Sequence, residues 1–310
     1  MITIRNSSIA VRGINNMAEN EKKPVFKGKQ TARRIRSIIP YMAATPYIMK
    51  HRDDSQNFFQ DSIEVTETDA FLRRKRDEGM KGLGYLHLLI AAYVRTVSQN
   101  PALNRFIRGQ RAYANRYITV VMTVKESMAQ DASETSIKVI FDPRDTIEDV
   151  YNKMNAAISS VKAGNETATG DVANLLFKSV PRFILRGIVD ILRLLDYYGL
   201  MPKVIENASP FHGSMIITDM GSLGIPPIYH HLYNFGHLPL FLSFGARRRT
   251  YEVTRTGEVA ARRYIDLNVV TDERICDGYT YAQCFKMMRR LITHPEHLET
   301  PPEKVVEDIY

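Results

Sequence analysis

Cysteine is almost missing from this chain. Only Cys276 and Cys284 occur in 310 residues, too few for a disulfide framework and wrongly spaced for a cysteine-based zinc site. The first residues lack the apolar stretch of a secretory signal, so a reducing cytoplasm is the expected compartment, with peripheral contact to a membrane left open. No uninterrupted apolar run is long enough to cross a bilayer as a helix. No glycine-rich phosphate loop follows the first strand-like segment, which argues against a Rossmann domain or a P-loop enzyme. Helix-turn-helix, zinc-finger and ribonucleoprotein signatures are also missing, so nucleic acid is a disfavoured partner.

Negative charge is in deficit, with 34 acidic against 42 basic residues and a formal net charge of +8. The excess is clustered in "EKKPVFKGKQTARRIR", in Arg73 to Arg76 and in Ala246 to Arg249. Two readings stand: a solvated basic surface, or a seat for an anionic partner such as a phosphorylated cofactor. Hydrophobic residues at 44% and charged residues at 25% describe an ordinary globular chain that can bury a large core.

Periodicity divides the chain as follows. Residues 1–35 form a polar, basic arm without sustained pattern. Strand character begins at Phe58–Thr66, and a short helix is expected from Asp69 to its stop at Gly79. "LGYLHLLIAAYVRTVSQNP" is a strongly apolar helix ended by Asn100-Pro101. "LNRFIRG" and "YITVVMTV" suggest a hairpin, and "TSIKVIFDP" another strand. The amphipathic stretch after Thr146 predicts a helix capped by that threonine and stopped at Gly164. Later strands are expected in "GSMIITDMG", "LPLFLSFGA" and "RYIDLNVVTDE", before a final helix in "YTYAQCFKMMRRLITHPEHL". Helices and strands in mixed order predict an α/β two-layer sandwich, a mixed sheet flanked by helices. The domain is expected over 36–300, with a tail at 301–310.

Four stretches then acquire meaning together. "DSIEVTETDAFL" (Asp61 to Leu72), "NPALNRFI" (Asn100 to Ile107), "GSMIITDMGSLG" (Gly213 to Gly224) and "DERICDG" (Asp272 to Gly278) occur in one order. In that order they resemble the catalytic domain of 2-oxo acid dehydrogenase dihydrolipoamide acyltransferases, whose fold chloramphenicol acetyltransferase shares. "DERICDG" resembles the family signature D-H-R-x-x-D-G at every fixed position except the histidine, which is Glu273 here. The resemblance implies a chloramphenicol acetyltransferase-like fold, a homotrimer or a multiple of three, and active sites between subunits. It implies coenzyme A or acyl-CoA as substrate, no metal, and no lipoyl attachment domain in this chain.

Carried over residue by residue, the resemblance puts Glu273 in the place of the general base. Thr218 takes the oxyanion-stabilising hydroxyl position, and Asp277 the structural aspartate position. A carboxylate is ordinarily about two pKa units less basic than imidazole, so burial would have to make up the difference. His212, His230, His231 and His237 are alternative homes for the base, and Cys276 is either an acyl-accepting nucleophile or an inert buried thiol. The expected function is acyl transfer from acyl-CoA to a thiol, hydroxyl or amine; the alternative is an inactive trimeric scaffold.

Relative to the resembled enzymes the chain is longer at about 166–207. Arg182, Arg186, Asp190, Arg193 and Asp196 form one polar stripe of a helix in 175–200, leaving a wide apolar face. The domain's own core, a neighbouring subunit, a fatty acyl chain and a membrane surface are the candidates to cover it.

Overall fold

The computed structural model describes residues 31–125, 134–162 and 180–309. The basic arm up to residue 30, the helix stop at Gly164 and the start of the insertion lie outside the described residues.

A mixed sheet organises the chain. Its strands are β2 (Gln56–Glu64), β5 (Ile118–Lys125), β6 (Glu134–Phe141), β7 (Met215–Asp219), β8 (Leu240–Phe244), β9 (Arg248–Val253) and β10 (Val259–Asp272). Their order is β2-β10-β8-β7-β5-β6, with β9 pairing the first half of β10. β7 runs parallel to both β5 and β8, and the remaining pairings are antiparallel. A second, three-stranded sheet joins β1 (Ala32–Arg34), β4 (Arg111–Asn115) and β3 (Arg105–Arg108).

Side-chain alternation decides which sheet face is covered. Ile265, Leu267 and Val269 of β10, Leu240, Leu242 and Phe244 of β8, and Met215 and Ile217 of β7 point into one core. Helix α3 (Tyr85–Gln99) lies in that core, its residues His87 to Ser98 all buried. It packs against α4 (Ile147–Lys162) and α7 (Gly278–Thr293), while α2 (Thr66–Asp77) closes the layer. The opposite residues, Ile216, Phe241 and Val270, meet Leu232 and Tyr233 in a small separate cluster. The sandwich expected from the sequence is therefore present, helices on one face and irregular chain on the other.

Local chemistry sets the ends of these elements. Thr146 and Asp149 cap α4 reciprocally: the Thr146 N–H donates to the Asp149 carboxylate at 2.9 Å, and the Asp149 N–H to Thr146 Oγ1 at 3.3 Å. Asp277 caps α7, accepting from the Thr280 N–H at 2.7 Å.

Several expectations are corrected. β3 does not pair with β5; it turns through Gly109 and Gln110 into β4, while β5 pairs β6 and β7. Both turn residues have positive φ, 54° and 59°, as a two-residue type I′ hairpin requires. α2 begins at Thr66, earlier than expected, and α1 (Pro40–Ile48) forms despite Pro46 within it. Residues at the two ends of the described chain are tied in: Arg33 donates to the Asp308 and Ile309 carbonyls, and Arg105 pairs with the Asp308 carboxylate.

The insertion supplies α5 (Arg182–Tyr198) and α6 (Lys203–Ala208). Among the described residues the domain's core does not cover the apolar face of α5: Phe183 is 76% and Leu194 57% exposed. The polar stripe splits in function, because Asp196 is buried and Arg186 is fully in solvent.

Candidate functional site

The corner from Asp272 to Gly278 is held by the motif's own residues. Asp272 is fully buried, accepts from Ser55 Oγ at 2.9 Å, and makes a two-pronged contact with Arg274 at 2.8 and 2.7 Å. Arg52 Nε approaches from the other side at 3.4 Å. Burial alone would raise this carboxyl, but the hydrogen bonds and charge of Arg274, with Arg52, hold it below the usual range. Tyr281, from α7, donates to the Asp272 carbonyl at 2.7 Å.

Within this frame Glu273 is exposed, and its backbone N–H donates to the Ser55 carbonyl at 2.8 Å. Its side chain makes no hydrogen bond or ion pair among the described residues. Asp277 is exposed as well, and its carboxylate is occupied as the cap of α7. Backbone hydrogen bonding from Thr280 holds that carboxyl low. Cys276 is buried in the main core, and burial pushes its thiol far up, which leaves it protonated and unreactive in this state.

Thr218 lies elsewhere. It pairs with Ser243 of β8, which pairs with Asn268 of β10, giving a row of three polar side chains on the sheet face away from the helices. Ser243 Oγ accepts from the Ile228 N–H at 3.3 Å, and Asn268 donates to the Pro227 carbonyl at 3.1 Å, so two members of the row hold the 225–228 segment. Thr218, half-buried, makes no side-chain hydrogen bond among the described residues. Glu273 is five residues beyond Asn268 along β10, about 16 Å at strand rise, and two strands over. One chain thus brings Glu273 and Asp277 together and keeps Thr218 apart from both.

The histidines divide into two groups. His212 and His237 are buried and serve the insertion: His212 Nε2 lies 3.4 Å from Asp196, and His237 Nε2 lies 3.5 Å from Glu206. Arg108 joins both carboxylates, at 3.3 and 2.7 Å. The hydrogen bond from His237, with Arg108, holds Glu206 down to about 2, and burial pushes His237 down to about 3, so the pair is carboxylate plus neutral imidazole at neutral pH. His230 and His231 are in the chain that crosses the open face. His230 stacks on Phe241 at 4.2 Å, and Phe241 pairs with Ile216, two residues from Thr218 on the same face. Burial pushes the His230 imidazole down.

β7 and β8 open at their carboxyl ends onto a cavity of about 640 Å³, lined by Tyr85, Asp219, Arg247, Arg248, Arg249 and Arg263. A crevice outside the carboxyl ends of parallel strands is where open α/β sheets receive ligands. The chain is drawn tight there: a Cβ on Gly221 would stand 2.8 Å from the Gly245 carbonyl oxygen, and one on Gly245 2.5 Å from Pro227. Asp69 accepts from Tyr85 at 2.7 Å and from Arg247 and Arg263 at 2.8 Å each. Arg248 pairs with Asp266 at 2.9 Å, while Arg249 lies 5.0 Å over Tyr251 with no ion pair among the described residues. Burial raises the Asp219 carboxyl against the N–H groups of Ser222 and Gly221. Ala246 to Arg249 is legible in the sequence as a basic cluster, whereas no motif joins Asp219, Arg263 and Tyr85 to it. Among the described residues no group of histidine, cysteine and carboxylate side chains could hold a metal ion.

This fold, a mixed sheet covered on one face by helices with an open second face, is that of acyltransferase catalytic cores. Among solved structures the chain is similar to the cubic core of the pyruvate dehydrogenase multienzyme complex, with a TM-score of 0.56 and 13% identity over 85% of this chain and 93% of that one. It is also similar to a probable dihydrolipoamide acetyltransferase from Listeria monocytogenes, at 0.53 and 14% over 89% and 99%. A chloramphenicol acetyltransferase matches at 0.50 and 12% over 84% and 99%. No family model matches the chain, and no curated protein does. At these identities the likeness is one of fold.

Proposed function

We propose that the protein is an acyltransferase that takes its acyl group from acyl-CoA. The observation that carries this reading is the arginine-lined cavity at the carboxyl ends of β7 and β8; its Asp219 directly follows Thr218, whose hydroxyl, without a partner among the described residues, lies on the opposite face of the sheet. Arg247 and Arg263 share the single carboxylate of Asp69, Arg248 pairs with Asp266, and Arg249 has no ion pair among the described residues, which leaves positive charge for the phosphates of a coenzyme A thioester. The pantetheine arm then rounds the carboxyl ends of β7 and β8 to bring its thioester to Thr218 on the opposite face.

In the transfer step the acceptor's thiol, hydroxyl or amine attacks the thioester carbonyl and gives its proton to a base. Thr218 donates to the tetrahedral oxyanion. Collapse breaks the carbon–sulfur bond, and the coenzyme A thiolate leaves with the proton returned by the base. Because Glu273 and Thr218 are far apart in one chain, the base is Glu273 of a neighbouring copy, and the working unit is a homotrimer. His230, on the Thr218 face of the same chain, is the second candidate for the base.

Release of free thiol from a panel of acyl-CoAs, with thiol, hydroxyl and amine acceptors, tests the reading. Glu273→Gln is expected to lower turnover about a hundredfold or more. Thr218→Val is expected to lower turnover with little change in KM for acyl-CoA. Loss in His230→Asn, with Glu273→Gln unaffected, moves the base to His230. A rate unchanged in all three variants removes the transferase reading, and a stable monomer in light scattering removes the shared site.

A further inference from the structure

Helix α5 lies on the protein through one edge only. Leu185, Val189, Leu192, Leu195 and Asp196 are its least exposed large side chains, and Asp196 alone is buried. Its carboxylate meets Arg108 at 3.3 Å and His212 at 3.4 Å, and the Tyr197 hydroxyl donates to Gln110 at 2.8 Å. A Cβ on Gly109 would come within 2.6 Å of the Tyr197 carbonyl oxygen, so the last turn sits hard against the β3–β4 hairpin. The helix is thus anchored by its C-terminal turn, and its first turns stand at the surface.

At about 100° per residue, Phe183, Ile184, Ile191, Leu194 and Tyr198 occupy one sector of roughly 100°, directed away from the inward edge. Among the described residues this sector is largely open: besides Phe183 and Leu194, Ile191 is 59%, Tyr198 66% and Ile184 43% exposed. The apolar border continues past the helix through Leu200 and into α6 at Val204, which are 67% and 81% exposed. On its other flank lies a row of cations, Arg182, Arg186 and Arg193, within about 40° of one another. Asp190 is their one acidic neighbour on the helix surface, 3.9 Å from Arg186 and 3.6 Å from Arg193.

We infer that α5 is a docking surface for an anionic membrane. The sector enters the boundary between headgroups and acyl chains, and the arginines meet the lipid phosphates. An apolar sector, an arginine flank and tyrosines at the border are the attributes of a helix that lies in the interfacial plane. Charge complementarity favours an anionic lipid surface as the occupant, because the arginine row beside the sector has Asp190 as its one acidic neighbour on the helix. No helix among the described residues is long and apolar enough to cross a membrane, so the contact is peripheral.

The chain contains no tryptophan, so Phe183→Trp provides a single emitter at the most exposed point of the sector. The full-length variant is mixed with vesicles of phosphatidylcholine alone and with vesicles that also contain phosphatidylglycerol. A blue shift, quenching by brominated acyl chains and co-sedimentation are expected with the anionic vesicles. Replacing Arg186 and Arg193 by glutamine should weaken this binding by about fivefold per arginine at low salt. Leu194→Ser should weaken it about tenfold or more while the circular dichroism spectrum stays unchanged. Absence of a shift with both vesicle types overturns the inference, as does equal binding to neutral and anionic vesicles. If Leu194→Ser instead lowers the particle mass in light scattering, a second copy covers the sector and the lipid contact is refuted. None of these readouts depends on acyl transfer.

Discussion

The corner at Asp272–Gly278 and the helix α5 treat their charged residues in opposite ways. In the corner one carboxylate is fixed by two guanidiniums, a serine hydroxyl and a tyrosine that braces its carbonyl. On α5 a single carboxylate, Asp196, ties the helix down, and the arginines of the same helix remain in solvent. The corner spends its motif residues on its own shape; the helix keeps most of its side chains for contacts outside the chain. The contrast separates what the fold requires from what is left for partners.

Asp272→Ala should produce the largest loss, because Arg52 and Arg274 stay buried without their counter-charge. A cost of about 3–5 kcal/mol is expected in urea unfolding. A loss below 1 kcal/mol would break the comparison, since the corner would then be no better fixed than a surface site. Asp196→Ala should cost less, about 1.5–3 kcal/mol, because Arg108 keeps Glu206. Hydrogen exchange should quicken in α5 and α6 in that variant and stay slow in α3.

Acid should loosen the same attachment. Glu206 is held down to about 2, so its contribution is present above its unfolded pKa near 4.5 and disappears as pH falls towards 2. His237 is held down to about 3, so between pH 6.5 and 3 the unfolded chain binds a proton that the folded chain refuses. Both effects remove stability as pH falls from about 6.5 to 3. Urea midpoints across that range should fall less steeply in His237→Gln than in the parent chain.

Asp277→Ala removes a cap and should cost about 1 kcal/mol. Phe183→Ser, at the far end of the contrast, should leave the unfolding free energy from urea titration within about 0.5 kcal/mol of the parent. A larger loss there would mean that the apolar sector belongs to the folded core after all.

Much of this architecture is legible in the sequence because it rests on local patterns. The apolar run of α3, the alternation in β8 and β10 and the Thr146–Asp149 cap each state their own geometry. The β3–β4 hairpin was not legible: Gly109-Gln110 is a weak turn signal, and "RAYAN" carries too little apolar alternation to announce a strand. α1 was hidden by Pro46. The order of motifs gave the fold, and singled out Glu273, Thr218 and Asp277 as candidates. The separation of Thr218 from Glu273 is a matter of strand order, which no motif encodes. Asp219, Arg263 and Tyr85 likewise converge only through the tertiary fold.

Position 273 has a freedom that its neighbours lack. The corner uses only the backbone of Glu273, through the bond to Ser55, whereas the side chains of Asp272 and Arg274 are indispensable to one another. Substitution at 273 should therefore leave the corner folded, whereas substitution at 272 or 274 should not. The shape of the corner and the side chain it presents to solvent are set independently.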